Sequence, residues 1–310
     1  MKLRTLPILS LLAVGTLALT SCTSASAEIE AAPTDENSVE LGTAVLPEMP
    51  FDEAAAALLP ADIAERGYLN AAYSPTFAPF EYYDKDNSTI IGFDVDYIQA
   101  VGQVLGLEIK TEAASFDAII PGLSSGKYDL SNSGIAVTEE RKLSNDFVVF
   151  AQAGSGIGVL PGNPKNISND YAALCGLKIA AGKGTIQGLT VLPGLSEECV
   201  AAGEKEIDIQ LFPSQNDGFL ALRSNRIDGY MADSFTVSYQ GKLAGDAWEL
   251  APGEDFAPIT TGITTSKDSP LTPAIRAAVL KIIESDVYPQ MNAKWGIPDT
   301  TMVTAEQVNE

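Results

Sequence analysis

The sequence predicts an α/β protein with mainly parallel sheets. Two observations carry this. From Gly67 onward, short apolar runs alternate with amphipathic helical stretches, the pattern of strand–helix–strand units. The chain also has 310 residues, of which 45% are hydrophobic and 19% charged, enough for one large or two moderate cores.

Taken in order, Tyr68–Tyr73 reads as a strand, and Phe93, Tyr97, Val101 and Val104 recur on one helical face. A strand follows through Ile109, then a helix over Phe116–Leu123 opened by Ser115, then a strand over Leu130–Val137. Further on, Ile179-Ala180-Ala181 forms a strand that leads through Gly182–Thr185 into a helix reaching Leu192. Ile207–Phe212 is a strand. Ser214, with Asp217 in the first turn, caps a helix that ends near Arg223. Gly229–Met231 is a strand, and Ile275–Ile283 a helix.

The formal net charge is −22, and no histidine is present. Removing residues 1–22 takes away Lys2 and Arg4, leaving 17 basic against 41 acidic residues, or −24. Such a surface repels phosphate backbones, so nucleic acid is excluded as a partner. The missing histidine removes Ser-His-Asp and Cys-His nucleophiles, His-ligated metals and the commonest general base. No cofactor is implied.

Lys2 and Arg4 precede an apolar run, Leu6–Leu19, that is short for a membrane span but suits an export signal. Leu19-Thr20-Ser21-Cys22 then resembles a bacterial lipobox, which implies lipidation at Cys22 and an extracytoplasmic protein anchored to the cell membrane. Ordinary cleavage after Ala25-Ser26-Ala27 is the competing reading. Residues 23–58 are small and acidic and read as a flexible tether, in which Phe51–Leu59 can form a short helix. Cys175 and Cys199 remain. In an exported chain an isolated pair fits a disulfide better than a zinc site, which needs more ligands; two unrelated buried thiols are the alternative.

Ile91-Gly92-Phe93-Asp94-Val95-Asp96 resembles the signature of the family 3 extracellular solute-binding proteins, the amino-acid-binding components of ABC importers. Pro79-Phe80-Glu81, Phe116–Pro121, Gly126-Lys127-Tyr128-Asp129, Thr138-Glu139-Glu140-Arg141, Gly184-Thr185, Arg226–Gly229, Asp233 and Lys294-Trp295-Gly296 extend the likeness in order. The resemblance implies a two-lobed periplasmic-binding-protein-like fold with two hinge strands. Residues 59–153 plus 258–300 would form the first lobe, 154–257 the second, and 301–310 a C-terminal tail. The partners implied are a free amino acid and an ABC permease.

Burying a zwitterion requires a partner for each charge. Arg141 can grip the α-carboxylate in two-pronged fashion, and the family's arginine stands at the matching place in its T-x-x-R motif. A surface arginine is the plainer alternative. Gly184, Thr185 and Ile186 lie between a strand and a helix, where amide N–H groups can offer the carboxylate a second grip. An ordinary turn would look the same. Asp233 can pair with the ammonium group, as the family aspartate does, or simply cap a helix. Phe77 and Phe116 resemble the aromatic pair that sandwiches the ligand side chain, although Phe116 also suits a core. Gly134 and Ala136 fall where the family presents backbone groups, and Ala136 lacks the hydroxyl often found there. Ser74 replaces the aspartate common in relatives that bind basic amino acids or glutamine, so the expectation is a neutral ligand. Lys183 could reach an acidic side chain but reads more simply as an exposed loop residue.

An exported cyclohexadienyl dehydratase on the same scaffold is the alternative activity, with Glu81 and Asp233 as the available acids. A sensory ligand-binding lipoprotein is a third. A binding protein, and not an enzyme, is the leading expectation.

Overall fold

The computed structural model describes residues 42–308. The expected signal segment, Cys22 and the part of the tether up to residue 41 lie outside the described residues.

The chain opens with α1 (Glu53–Ala56) and α2 (Ala61–Arg66), then β1 (Tyr68–Tyr73), and a small antiparallel sheet of β2 (Thr76–Phe77), β3 (Glu81–Tyr83) and β4 (Ile90–Ile91). There follow α3 (Phe93–Leu105), β5 (Glu108–Ala113), α4 (Phe116–Ser124), β6 (Leu130–Ser131), α5 (Glu139–Lys142) and the long β7 (Asn145–Val159). The middle of the chain gives β8 (Lys178–Gly182), a π-helical turn at Gln187–Val191, α6 (Leu192–Ala201), β9 (Asp208–Phe212), α7 (Gln215–Arg223), β10 (Gly229–Asp233), α8 (Ser234–Leu243) and β11 (Glu249–Leu250). The last elements are β12 (Phe256–Ser266), α9 (Thr272–Ile283), α10 (Val287–Trp295) and α11 (Ala305–Val308).

The main sheet runs β5-β1-β6-β12-β7-β10-β8-β9, with β11 added to β7. Its two ends are parallel: β1 pairs with β5 and β6, and β8 with β10 and β9. The middle is antiparallel, because β7 and β12 pair with each other and carry the chain between the ends. These are the two connecting strands, and the expected divisions at 153/154 and 257/258 fall inside them.

Each end is covered on both faces, as parallel sheets require. Side chains on a strand alternate faces, so Leu69, Ala71 and Tyr73 join one core with Phe93, Tyr97 and Ile275. Ala72 joins another with Ile119, Leu123 and Tyr128. At the other end Ile179, Ala181 and Met231 pack with Leu192 and Cys199, while Ala180 and Tyr230 pack with Phe219, Leu222 and Trp248. Two lobes with separate cores result.

The family-like motifs meet in the first lobe. Phe93 N–H donates to the Pro79 carbonyl at 3.0 Å and Asp94 N–H to the Phe80 carbonyl at 2.9 Å. Gly92 sits at φ +141, where an added Cβ would lie 2.0 Å from the Phe80 carbonyl oxygen, so only glycine fits that crossing. Asp96 accepts from Trp295 Nε1 and pairs with Lys294, both at 2.7 Å, which ties α10 to α3.

Three expectations are corrected. Residues 42–58 are not free tether: Met49 and Ala55 are buried, Met49 N–H donates to Gln103 Oε1 at 2.8 Å, and Asp52 pairs with Lys281 at 2.9 Å. Their few apolar side chains dock on α3 and α9. The C-terminal tail is likewise packed through residue 308, with Val303 and Val308 buried and the Arg276 guanidinium donating to the Val308 carbonyl. The strand expected over Leu130–Val137 ends at Ser131, because the chain turns at Gly134 with φ +57. Beyond that turn Ala136 makes only an isolated bridge to Thr261.

Cys175 and Cys199 form a disulfide with Cα atoms 5.6 Å apart, closing a loop of sequence separation 24 in the second lobe. Among the described residues no helix is long and apolar enough to cross a membrane.

Candidate functional site

A cavity opens between the lobes. Ser74, Phe77, Phe116, Gly134, Ala136 and Arg141 line it from the first lobe, and Lys183, Thr185, Ile186 and Asp233 from the second.

Arg141 lies in the single-turn helix α5, which Thr138 caps by accepting the Arg141 N–H at 3.2 Å. The turn aims the guanidinium inward. Nη1 donates to the Ala136 carbonyl at 2.9 Å and Nη2 to the Gly184 carbonyl at 2.8 Å, the latter across the lobes. Burial lowers its pKa, yet guanidinium keeps its charge at any ordinary pH. Among the described residues no carboxylate pairs with it, and Phe116 lies beneath, with its ring centre 5.9 Å from Cζ. A guanidinium that spends two donors on neutral carbonyls keeps charge and further N–H groups for an anion.

Asp233 ends β10 and caps α8, its Oδ1 accepting the Thr236 N–H at 3.0 Å. Capping and cavity lining therefore coexist. Burial, with the nearby charge of Asp255, pushes its carboxyl up to about 6; a cation at this place would return it to the ionised form.

Gly134, at φ +57, stands where an added Cβ would lie 2.5 Å from Phe77 Cε1, so the Phe77 ring packs directly on the Gly134 backbone. Phe77 stacks on Phe80 with centroids 4.8 Å apart, and Phe80 meets Phe235 of the other lobe edge-on at 6.4 Å. The lobes also touch through Gln240 Nε2, which donates to the Ala78 carbonyl at 3.3 Å, and through Lys183, which pairs with Asp117 at 2.6 Å. Lys183 is thus engaged across the cleft. The lobes are closed on each other.

The turn after β8 differs from expectation. Thr185 N–H and Oγ1 both donate to the Gly182 carbonyl, at 3.3 and 2.8 Å, and Thr185 Oγ1 accepts from Gly188 N–H. Gly184 lines a neighbouring groove instead of the main cavity, and its carbonyl is held by Arg141. The amide donors expected there are therefore partly consumed within the turn, because a threonine hydroxyl bonds its local backbone readily.

Glu81, Asp94 and Ser133 also border the cavity and were not among the expected site residues. Glu81 and Asp94 are fully buried. Burial first, then their mutual charge, raises Glu81 well above the carboxylate range. Burial raises Asp94 to about 8, against the pull of the Gly134 N–H that its Oδ2 accepts at 3.1 Å. Both acids stand in the family-like motifs, which was the available signal, but their pairing depends on distant contacts. Ser74 N–H donates to Ser133 Oγ at 3.0 Å. Among the described residues no cluster of three or more metal-type ligands occurs.

Comparison with known proteins agrees with this architecture. The bacterial extracellular solute-binding proteins, family 3, match residues 69–298. A Corynebacterium glutamicum protein named arginine-binding protein ArgT is 30% identical over 243 residues, covering 78% of this chain and 79% of its own. A probable histidine-binding protein of Campylobacter jejuni is 32% identical over 195 residues, 61% of this chain and 70% of its own. Among solved structures, holo ArgBP from T. maritima has a TM-score of 0.64 at 29% identity, covering 77% of this chain and all of that one. These relatives are named as binding proteins and not as enzymes. On the length and continuity of the family match, this chain belongs to the bacterial extracellular solute-binding proteins, family 3.

Proposed function

We propose that this protein captures a free α-amino acid outside the cytoplasm and presents it, with lobes closed, to an ABC permease. The observation that carries the reading is a single cavity that receives the Arg141 guanidinium from one lobe and the Asp233 carboxylate from the other. A buried zwitterion needs one group of each sign. The ligand's contacts with both lobes would stabilise the closed form and shift its population. Ser74, Phe77, Phe116, Gly134, Ala136, Thr185 and Ile186 complete the proposed wall, and Gly184 acts through Arg141.

The charge balance points to a cationic side chain. Around the cavity the Asp233 carboxylate and the buried Glu81–Asp94 pair, which with one proton still carries a negative charge, outnumber the one partly buried guanidinium, while Lys183 is already paired with Asp117. A net positive ligand leaves less buried charge unmatched than a neutral one does. Ser74 supplies no charge, and the neutral ligand expected from that residue alone gives way to the balance of the whole cavity. The names of the arginine- and histidine-binding relatives support the same class. Calorimetric titration with L-arginine, L-lysine, L-histidine, L-glutamine and L-cystine tests it. Tighter binding of a neutral amino acid than of all three basic ones overturns the assignment.

The family is extracellular, and the lipobox-like Leu19-Thr20-Ser21-Cys22 supports a lipid anchor at Cys22. Labelling cells with a fatty-acid analogue checks this: the wild-type chain takes up label and Cys22→Ala does not. Label retained by Cys22→Ala rules out this anchor.

A further inference from the structure

Glu81, at the start of β3, and Asp94, in the first turn of α3, are brought side by side by the backbone crossing at Gly92. Both are 0% exposed. Each has one oxygen satisfied: Glu81 Oε1 accepts from the Ser133 hydroxyl, and Asp94 Oδ2 from Gly134 N–H at 3.1 Å. The remaining oxygens, Glu81 Oε2 and Asp94 Oδ1, are buried and have no donor among the described residues. The two side chains are within hydrogen-bonding reach of each other. Carboxylate oxygens only accept, so two of them meet favourably only around a proton.

Among the described residues the surroundings supply no alternative counter-charge. Asp233 at the end of β10, which raises Asp94, and Tyr73 on β1, which the pair itself raises, are the titratable groups coupled to the pair. Neither is cationic. Arg141 is turned to the Ala136 and Gly184 carbonyls, Lys183 to Asp117 and Lys294 to Asp96.

We propose that Glu81 and Asp94 hold one proton between them and act together as a positioning pair for the ligand wall. The chain of hydrogen bonds runs from Ser74 N–H to Ser133 Oγ, from the Ser133 hydroxyl to Glu81, across the shared proton to Asp94, and back through Gly134 N–H. It therefore fixes Ser74 and the adjacent Ser133 and Gly134, cavity-lining residues from two separate segments. Without the proton, two adjacent buried anions repel, and the Ser133–Gly134 turn loses its anchor.

The unliganded protein tests this whatever its ligand is. An acid pair protonated in the fold and ionised in the unfolded chain makes the native state hold one extra proton. Stability then falls as pH rises from the ordinary carboxylate range toward about 8. Chemical denaturation across that range is expected to show this slope. In Glu81→Gln the amide donates to Asp94 permanently and its oxygen still accepts from Ser133, so the slope is expected to flatten by one proton. The infrared band of a protonated carboxyl, present in the wild type at neutral pH, should weaken in the same variant. For affinity, Glu81→Ala should weaken ligand binding at least tenfold and Glu81→Gln should recover most of that loss. Glu81→Gln/Asp94→Asn, which sets two amide NH2 groups face to face, should lose it again. An unchanged slope in Glu81→Gln, or no protonated-carboxyl band in the wild type, overturns the proposal. So does a Glu81→Gln variant as impaired as Glu81→Ala.

Discussion

Arg141 Nη2 donates to the carbonyl of Gly184 at 2.8 Å, so the proposed carboxylate grip of one lobe is also a strut against the other. The proposed ligand recognition and the contact between the lobes share one side chain.

Replacing Arg141 removes both roles. Arg141→Ala is expected to weaken amino acid binding by about 2–5 kcal/mol, chiefly by leaving a buried carboxylate unpaired. Arg141→Lys keeps the charge but not the fork, and should recover only part of the loss. Calorimetry on the two variants decides this, and binding within twofold of wild type in Arg141→Ala would argue against the site.

Asp233 predicts the pH dependence. Burial pushes its carboxyl up to about 6, and an ammonium held beside it would lower it. Binding therefore favours the ionised form. Affinity should be full above about 6 and fall roughly tenfold per unit as pH drops below it, until the lower value in the complex is reached. Asp233→Asn should bind weakly and without that dependence. Titrations at a series of pH values below 7 provide the measurement.

The Lys183–Asp117 pair spans the lobes but is exposed, at 60% and 31% of the side-chain surface. Such pairs contribute at most about 1 kcal/mol. Asp117→Asn should lower affinity less than about fivefold, and the difference should vanish at high salt. A loss as large as that of Arg141→Ala would show that the pair does more than bridge an exposed rim.

The Cys175–Cys199 link closes its loop inside the second lobe, where Cys199 is fully buried. Its removal in Cys199→Ser is expected to cost about 3 kcal/mol of stability on the chain-entropy estimate. Equilibrium denaturation with and without a reductant reads the difference directly.

Gly134→Ala should impair the site more than its single methyl suggests. Backbone at φ +57 disfavours alanine by about 1 kcal/mol, and the new Cβ would lie 2.5 Å from the Phe77 ring. The ring must move out of the wall, so affinity should fall at least tenfold while the thermal midpoint drops by only a few degrees. Parallel calorimetry and thermal melts separate the two effects.

Much of the fold was legible because local signals agreed with tertiary demands. The strand Tyr68–Tyr73 runs over the expected residues, starting just after the left-handed Gly67 that closes α2. Ser214 caps α7 through Asp217 N–H, and Asp233 caps α8 as one of its two expected roles. The paired β7 and β12 were expected only through the resemblance, since strands buried on both faces lose the alternation that marks a strand. Residues 42–58 and 301–308 looked like free chain because a few apolar side chains among polar ones do not reveal that a groove awaits them. Within the site, Arg141 and Asp233 were chosen for the charges a zwitterion needs, and one cavity holds both. Glu81 was considered only as an acid for the alternative activity and Asp94 only as part of a motif, because sequence shows neither burial nor the approach of residues 81, 94 and 133. Gly184 was expected to offer amides, yet its carbonyl is what the structure uses.

The most direct test of the account compares the tightest-binding amino acid with its decarboxylated amine, for L-arginine the amine agmatine, by calorimetric titration of the wild-type protein. The amine keeps both positive groups and lacks only the carboxylate that Arg141 is proposed to hold. One-to-one binding of the amino acid, with the amine at least a hundredfold weaker, is the predicted result. Affinities within threefold of each other would contradict it.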